Sequence, residues 1–190
     1  MIRQTLPLIL ASGSPRRKEI LDMMGLTYSV DVSEVDETFD GPADETVLEL
    51  SKRKAQAVAK RHENALILAA DTLVFCEKAL GKPGTRESAA VMLRSLSGNW
   101  HNVYTGMTLI DTRSGRTYQK VDCTRVHFVK MTEEEILAYA ASDEPLDKAG
   151  AYAIQGIGGM FVDRIEGSYS NVVGLSMTAL RDLLHEAGQV

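Results

Sequence analysis

The run from Ala65 to Cys76, ALILAADTLVFC, is apolar throughout except at Asp71 and Thr72. Its β-branched and aromatic content favours a strand over a helix. Burying an unpaired carboxylate is costly, so Asp71 in such a run is better explained by a functional strand-end position than by core packing. The plainer alternative is a strand-terminal aspartate that faces water.

The surrounding pattern predicts alternating strands and helices. Pro7 to Ala11 reads as a short buried strand closed by SGSP. A helix follows, with Ser14 as N-cap, Pro15 at the first helical position and Gly25 as its end. Thr27 to Val32 alternates like a second strand, and Glu34 to Glu45 reads as an acidic loop. A second helix is expected from Thr46 to about Arg61. Val47, Leu50, Lys54 and Val58 fall at near-helical intervals there, which places a lysine among the inward positions.

A third helix is expected from Thr85 to Leu96, then a hairpin of two strands turning at Thr112 to Gly115. Thr132 and Glu135 form a capping box for a helix ending before Pro145. A last strand is expected at Gly159 to Ile165 and a closing amphipathic helix at Met177 to Glu186. Early strand–helix alternation with later hairpin character indicates an α/β fold with a mixed sheet flanked by helices. The 190 residues fit a single domain spanning 1–190.

Composition excludes several classes. A hydrophobic fraction of 44% and a charged fraction of 25% are ordinary for a globular protein, and no apolar run is long enough to span a bilayer. The apolar stretch near the N-terminus is shorter than the roughly 7–15 residues of a signal peptide, so a cytoplasmic location is expected. A net charge of −5 argues against a general nucleic-acid-binding surface. Cys76 and Cys123 match no ligand or redox spacing and are expected to be reduced thiols packed as small hydrophobes. The four histidines are scattered and read as incidental.

Several residues point to phosphate chemistry. LASGSPRRKE puts Ser12, Ser14, Arg16 and Arg17 at a strand-to-helix junction, where unpaired amides and the helix dipole favour an anion. The alternative there is an ordinary capped helix with solvated basic residues. Glu37 in the acidic loop can join Asp71 in holding a divalent cation such as Mg²⁺. Lys54, and Lys82 in the turn GKPG, are suited to phosphate oxygens, although a lone lysine is commonly surface charge. No Walker loop, HExxH, G-x-S-x-G elbow or zinc spacing is present. The residues alone therefore reach metal-assisted phosphoryl transfer and no named substrate.

Taken in order, LASGSPRR, E-V-D-E-T, AADT, GKP, DEPLDKAGAYAIQG and EGSYSNVVGL resemble the Maf nucleotide pyrophosphatases over nearly the whole chain. The resemblance implies an elongated α/β fold with a long mixed sheet and a cleft, related to the inosine triphosphate pyrophosphatases and usually dimeric. It implies that Asp71 is the general base, that Glu37 assists with a Mg²⁺ or Mn²⁺ ion, and that Ser12, Arg17, Lys54 and Lys82 hold the triphosphate. Arg16, Thr72 and Gln155 match the members that prefer dTTP and UTP rather than 7-methyl-GTP. Ser176 departs from the proline common after VVGL. The competing readings are a pyrophosphatase for 7-methyl-GTP or another modified nucleotide, and a non-catalytic regulator of cell division.

Overall fold

The computed structural model describes residues 3–189. The first strand, β1 (Leu8–Leu10), is wholly buried and is joined by residues 11–14 to helix α1 (Pro15–Met23). Pro15 sits at the helix start, where its fixed φ is already helical and its missing N–H has no partner to lose. Gly25 ends the helix at φ 68°, a left-handed conformation that lets Leu26 N–H donate back to Leu21 O at 3.1 Å. Strand β2 (Tyr28–Val30) follows.

Helix α2 (Ala43–Ala59) begins a turn before the expected Thr46. Pro42 serves as its N-cap, with its carbonyl accepting from Thr46 N–H at 2.8 Å, and Asp44 and Glu45 complement the dipole of the first turn. Strand β3 (Leu66–Cys76) pairs in parallel with β1, in the register Leu8 to Leu66, and β1 pairs in parallel with β2. Asp71 does not end this strand, contrary to the strand-end expectation. It lies within β3 at the point where complete burial stops, after Ala70.

A short strand, β4 (Lys78–Leu80), folds back antiparallel on β3. Its turn hinges on Glu77 at φ 57°, so no glycine or proline announces it in the sequence. Helix α3 (Arg86–Leu96) is capped by Thr85, whose hydroxyl accepts from Ser88 N–H. Strands β5 (Trp100–Asp111) and β6 (Arg116–Phe128) form the expected hairpin, and helix α4 (Glu133–Ala141) carries the full Thr132–Glu135 capping box.

Strand β7 (Val162–Glu166) starts later than expected and pairs antiparallel with β6. Residues 159–161 belong instead to a 3-10 helix, Ile157–Phe161, in which Gly159 N–H bonds Gly156 O. Helix α5 (Tyr169–Val173) is too short to show a period in sequence. Helix α6 (Met177–Glu186) matches its expected bounds, and Ser176 is its N-cap, accepting from Ala179 N–H. The departure from proline at that position is therefore a helix cap.

Among the described residues the seven strands form one mixed sheet in the order β2-β1-β3-β5-β6-β7, with β4 on β3. The chain divides into two compact units. Among the described residues the first comprises residues 3–71, 105–122 and 174–189, and the second residues 72–104 and 123–173. Ile9, Ala55, Val58, Ile67 and Ile110 pack the first unit, and Leu93, Leu96, Phe128, Tyr139 and Phe161 the second. No helix among the described residues is long and apolar enough to cross a membrane. Cys76 is half-buried, whereas Cys123 is exposed on β6 and is not the packed small hydrophobe expected.

His101 lies inside the second core at 3% exposure, edge-on to Phe128 and Tyr152, with Nε2 2.8 Å from the Tyr152 hydroxyl. Burial, with a smaller contribution from His127, pushes its pKa down from 6.5 to about 4. The unfolded chain therefore binds this proton more readily than the folded one. The stability that His101 contributes is complete above pH 6.5 and is lost as pH falls toward 4. Between pH 7 and pH 5 urea unfolding should show a loss of about 2 kcal/mol that His101→Gln does not share. Equal pH slopes in the two proteins would remove His101 from this role.

Candidate active site

Helix α2 presents Lys54 inward because Val47, Leu50, Ser51, Ala55 and Val58 face the core and Lys54 lies on the edge of that face. Two further contacts fix the helix against β5. Ser51 and Thr108 share a buried hydroxyl hydrogen bond of 2.8 Å. Gly106 lies against the Val47–Leu48 backbone so closely that a Cβ there would come 2.7 Å from Leu48 N. Glycine in a strand interior commonly marks such an approach.

From that position Lys54 Nζ reaches Asp71 Oδ1 at 2.6 Å and Glu37 Oε1 at 2.8 Å. The lysine and aspartate side chains are only 12% and 15% exposed, while Glu37 is 61% exposed at the rim. The largely buried aspartate is thus compensated by a charge partner, as its position in an apolar strand requires.

The β1–α1 junction supplies the second part. Ser12 is buried, and its Oγ accepts from Arg17 Nη1 at 3.0 Å and from Ser14 N–H at 3.2 Å. Arg17 also donates through Nε to Gly174 O at 3.0 Å. Burial pushes the Arg17 pKa down, Asp71 and Glu37 oppose that shift, and Arg16 reinforces it. Arg17 thus feels both carboxylates, and a guanidinium with its very high intrinsic pKa stays charged.

The first unit therefore brings together Ser12, Arg17, Glu37, Lys54 and Asp71, with Arg16 beside Arg17. The family model described as Maf-like protein matches residues 7–187. The chain belongs to the Maf family. The dTTP/UTP pyrophosphatase of Acetivibrio thermocellus is 45% identical over 190 residues, covering 95% of each chain. The proteins of the same name from Caldicellulosiruptor bescii and Halalkalibacterium halodurans are 46% and 49% identical, over 95% and 90% of this chain and 94% and 91% of theirs. Among solved structures, a HAM1 protein from Coxiella burnetii superposes with a TM-score of 0.47 at 12% identity, over 67% of this chain and 75% of that one.

The remaining Maf-pattern residues belong to the second unit. Thr72 follows Asp71 in β3 and is half-buried. Lys82 is exposed on the loop after β4, whose Gly81 carbonyl accepts from Gly150 N–H at 3.1 Å. Gln155 is exposed on a turn closed by Gly156 N–H to Ala153 O at 3.2 Å. Sequence reasoning assigned nothing to Glu144, which grips the backbone after this turn. An acidic residue directly before Pro145 was the available signal.

Proposed function

We propose that this chain hydrolyses dTTP and UTP to the monophosphate and pyrophosphate, acting in the cytoplasm. The observation that carries the reading is the pair of carboxylates, Asp71 and Glu37, held by one largely buried ammonium, with a charged arginine at a helix start close enough to feel both. Relatives bearing the dTTP/UTP pyrophosphatase name, aligned over nearly the whole chain, support the substrate class.

In this reading Asp71 accepts a proton from the water that attacks the α-phosphorus. Lys54 fixes that carboxylate, and Arg17 with Ser12 binds phosphate oxygens. Ser12 Oγ accepts twice within the protein, which leaves its hydroxyl hydrogen to donate. Lys82 adds a phosphate contact, while Arg16, Thr72 and Gln155 select the base. The Gln155 amide offers both a donor and an acceptor to a pyrimidine edge, whereas a carboxylate only accepts.

Two carboxylates sharing one cationic partner also fit a hard divalent ion. Asp71 and Glu37 are the residues that would hold Mg²⁺ or Mn²⁺, since such an ion needs only one or two protein carboxylates. When bound, such an ion neutralises charge developing on the triphosphate. Positioning by the protein's own residues supplies much of the remaining rate enhancement in phosphoryl transfer.

The test is a panel of dTTP, UTP, dCTP, ATP, GTP and 7-methyl-GTP with pyrophosphate detection, with Mg²⁺, with Mn²⁺ and with EDTA. The highest kcat/KM is expected on dTTP and UTP, pyrophosphate as the released product, and loss of turnover in EDTA. Preference for the methylated purine, or release of orthophosphate alone, would overturn the reading.

A further inference from the structure

Gln155 sits on a turn whose two shoulders run back to one side chain. Before the turn, Ala153 N–H donates to the Tyr139 hydroxyl at 3.2 Å, and that hydroxyl donates to Glu144 Oε2 at 2.6 Å. After it, Ile157 N–H donates to Glu144 Oε1 and Gly158 N–H to Oε2, both at 3.0 Å. The turn itself is closed by Gly156, where a Cβ would lie 2.6 Å from Glu144 Cδ. The carboxylate therefore occupies the space that a side chain at 156 would need. Although burial acts to raise the Glu144 pKa, these donors and Lys148 outweigh it and hold the group ionised.

We propose that Glu144 is a positioning residue for base discrimination: by holding the backbone after residues 154–156 directly, and the backbone before them through the Tyr139 hydroxyl, it fixes the direction in which Gln155 presents its amide. This rests on the reading of Gln155 as a base-contacting residue. An exposed glutamine on an untethered loop would have to order its backbone and side chain as substrate binds, which weakens and blurs selection. A turn tied to one carboxylate by two backbone hydrogen bonds, and by a further link through the Tyr139 hydroxyl, arrives already ordered, and charge-assisted bonds are the strong kind.

The experiment measures kcat and KM for dTTP, UTP, ATP and GTP in Glu144→Ala, Glu144→Gln, Tyr139→Phe and Gly156→Ala, each with Gln155 intact and with Gln155→Ala. Glu144→Ala should raise KM for dTTP and UTP about tenfold, the size of one directed hydrogen bond, with KM moving more than kcat and pyrimidine preference falling to match. Gly156→Ala should reproduce this by displacing the carboxylate. Tyr139→Phe, which keeps both backbone donors on Glu144, should have a smaller effect. In the Gln155→Ala background these losses of preference should vanish.

A uniform fall in kcat on every triphosphate, or an equal loss of preference with Gln155 already removed, would overturn the proposal and leave Glu144 a structural residue. Gln155→Ala alone separates the two readings. If it leaves preference unaltered, the base-contact reading fails, and the role of Glu144 with it. Melting temperatures accompany each variant, and Glu144→Gln, which keeps the shape but loses one acceptor, serves if Glu144→Ala does not fold.

Discussion

Asp71→Asn should lower kcat on dTTP by about a thousandfold, within the range that a positioned general base supplies. The substitution is isosteric, so strand β3 and its parallel pairing with β1 are retained. What changes is chemical: an amide does not take a proton from water at neutral pH, and the ion pair with Lys54 at 2.6 Å is lost. The measurement is steady-state pyrophosphate release, with nucleotide binding and melting temperature followed in parallel. Turnover within threefold of the unaltered protein would remove Asp71 from the chemistry. Turnover lost together with folding would assign it a structural role instead.

Gly106→Ala should destabilise the protein by about 3 kcal/mol, a large value for one added methyl but in keeping with overpacking against rigid neighbours. The new Cβ would run into the Val47 carbonyl, backbone atoms that cannot rotate aside as a side-chain tip can. For a chain of this length the melting temperature should fall by roughly 10 °C. Helix α2 must move to accommodate the methyl, and Lys54 moves with it, so kcat should fall as well. Circular dichroism melts and the pyrophosphate assay check both parts. A melting temperature unchanged within about 2 °C would show that the helix yields without strain.

The two substitutions probe different levels of legibility. Asp71 was visible in sequence because a carboxylate interrupts an apolar run, and burial makes such an interruption expensive. Lys54 was visible as the odd member of an inward helical period. Gly106 gave no comparable signal, since a glycine in a strand indicates a bulge, a bend or a close approach without naming the partner. Glu144 gave only the weak signal of an acidic residue before Pro145. A glutamate near a proline is ordinary until the backbone of residues 157 and 158 is found to donate to it.

Elements with strong local signals came out close to expectation. The α1 start at Pro15, the capping box at Thr132 and Glu135, and helix α6 all rest on chemistry contained within a few residues. Strand β4 and helix α5 were missed because each is too short to show a period. The late start of β7 has a tertiary cause: Ile157 and Gly158 are drawn onto Glu144, and the chain continues as a 3-10 turn before it extends.

By itself the sequence determined most of the segments that become strands and helices and the mixed α/β class, and it nominated the candidate residues for phosphate chemistry, because period, caps and turn formers act over short separations. Only the tertiary structure decided that Asp71 lies within a strand instead of ending it, that Lys54 holds Asp71 and Glu37 together, and that Glu144 ties the turn bearing Gln155. Those contacts join positions far apart in the chain, and their geometry is set by how closely backbones approach, which no local pattern encodes.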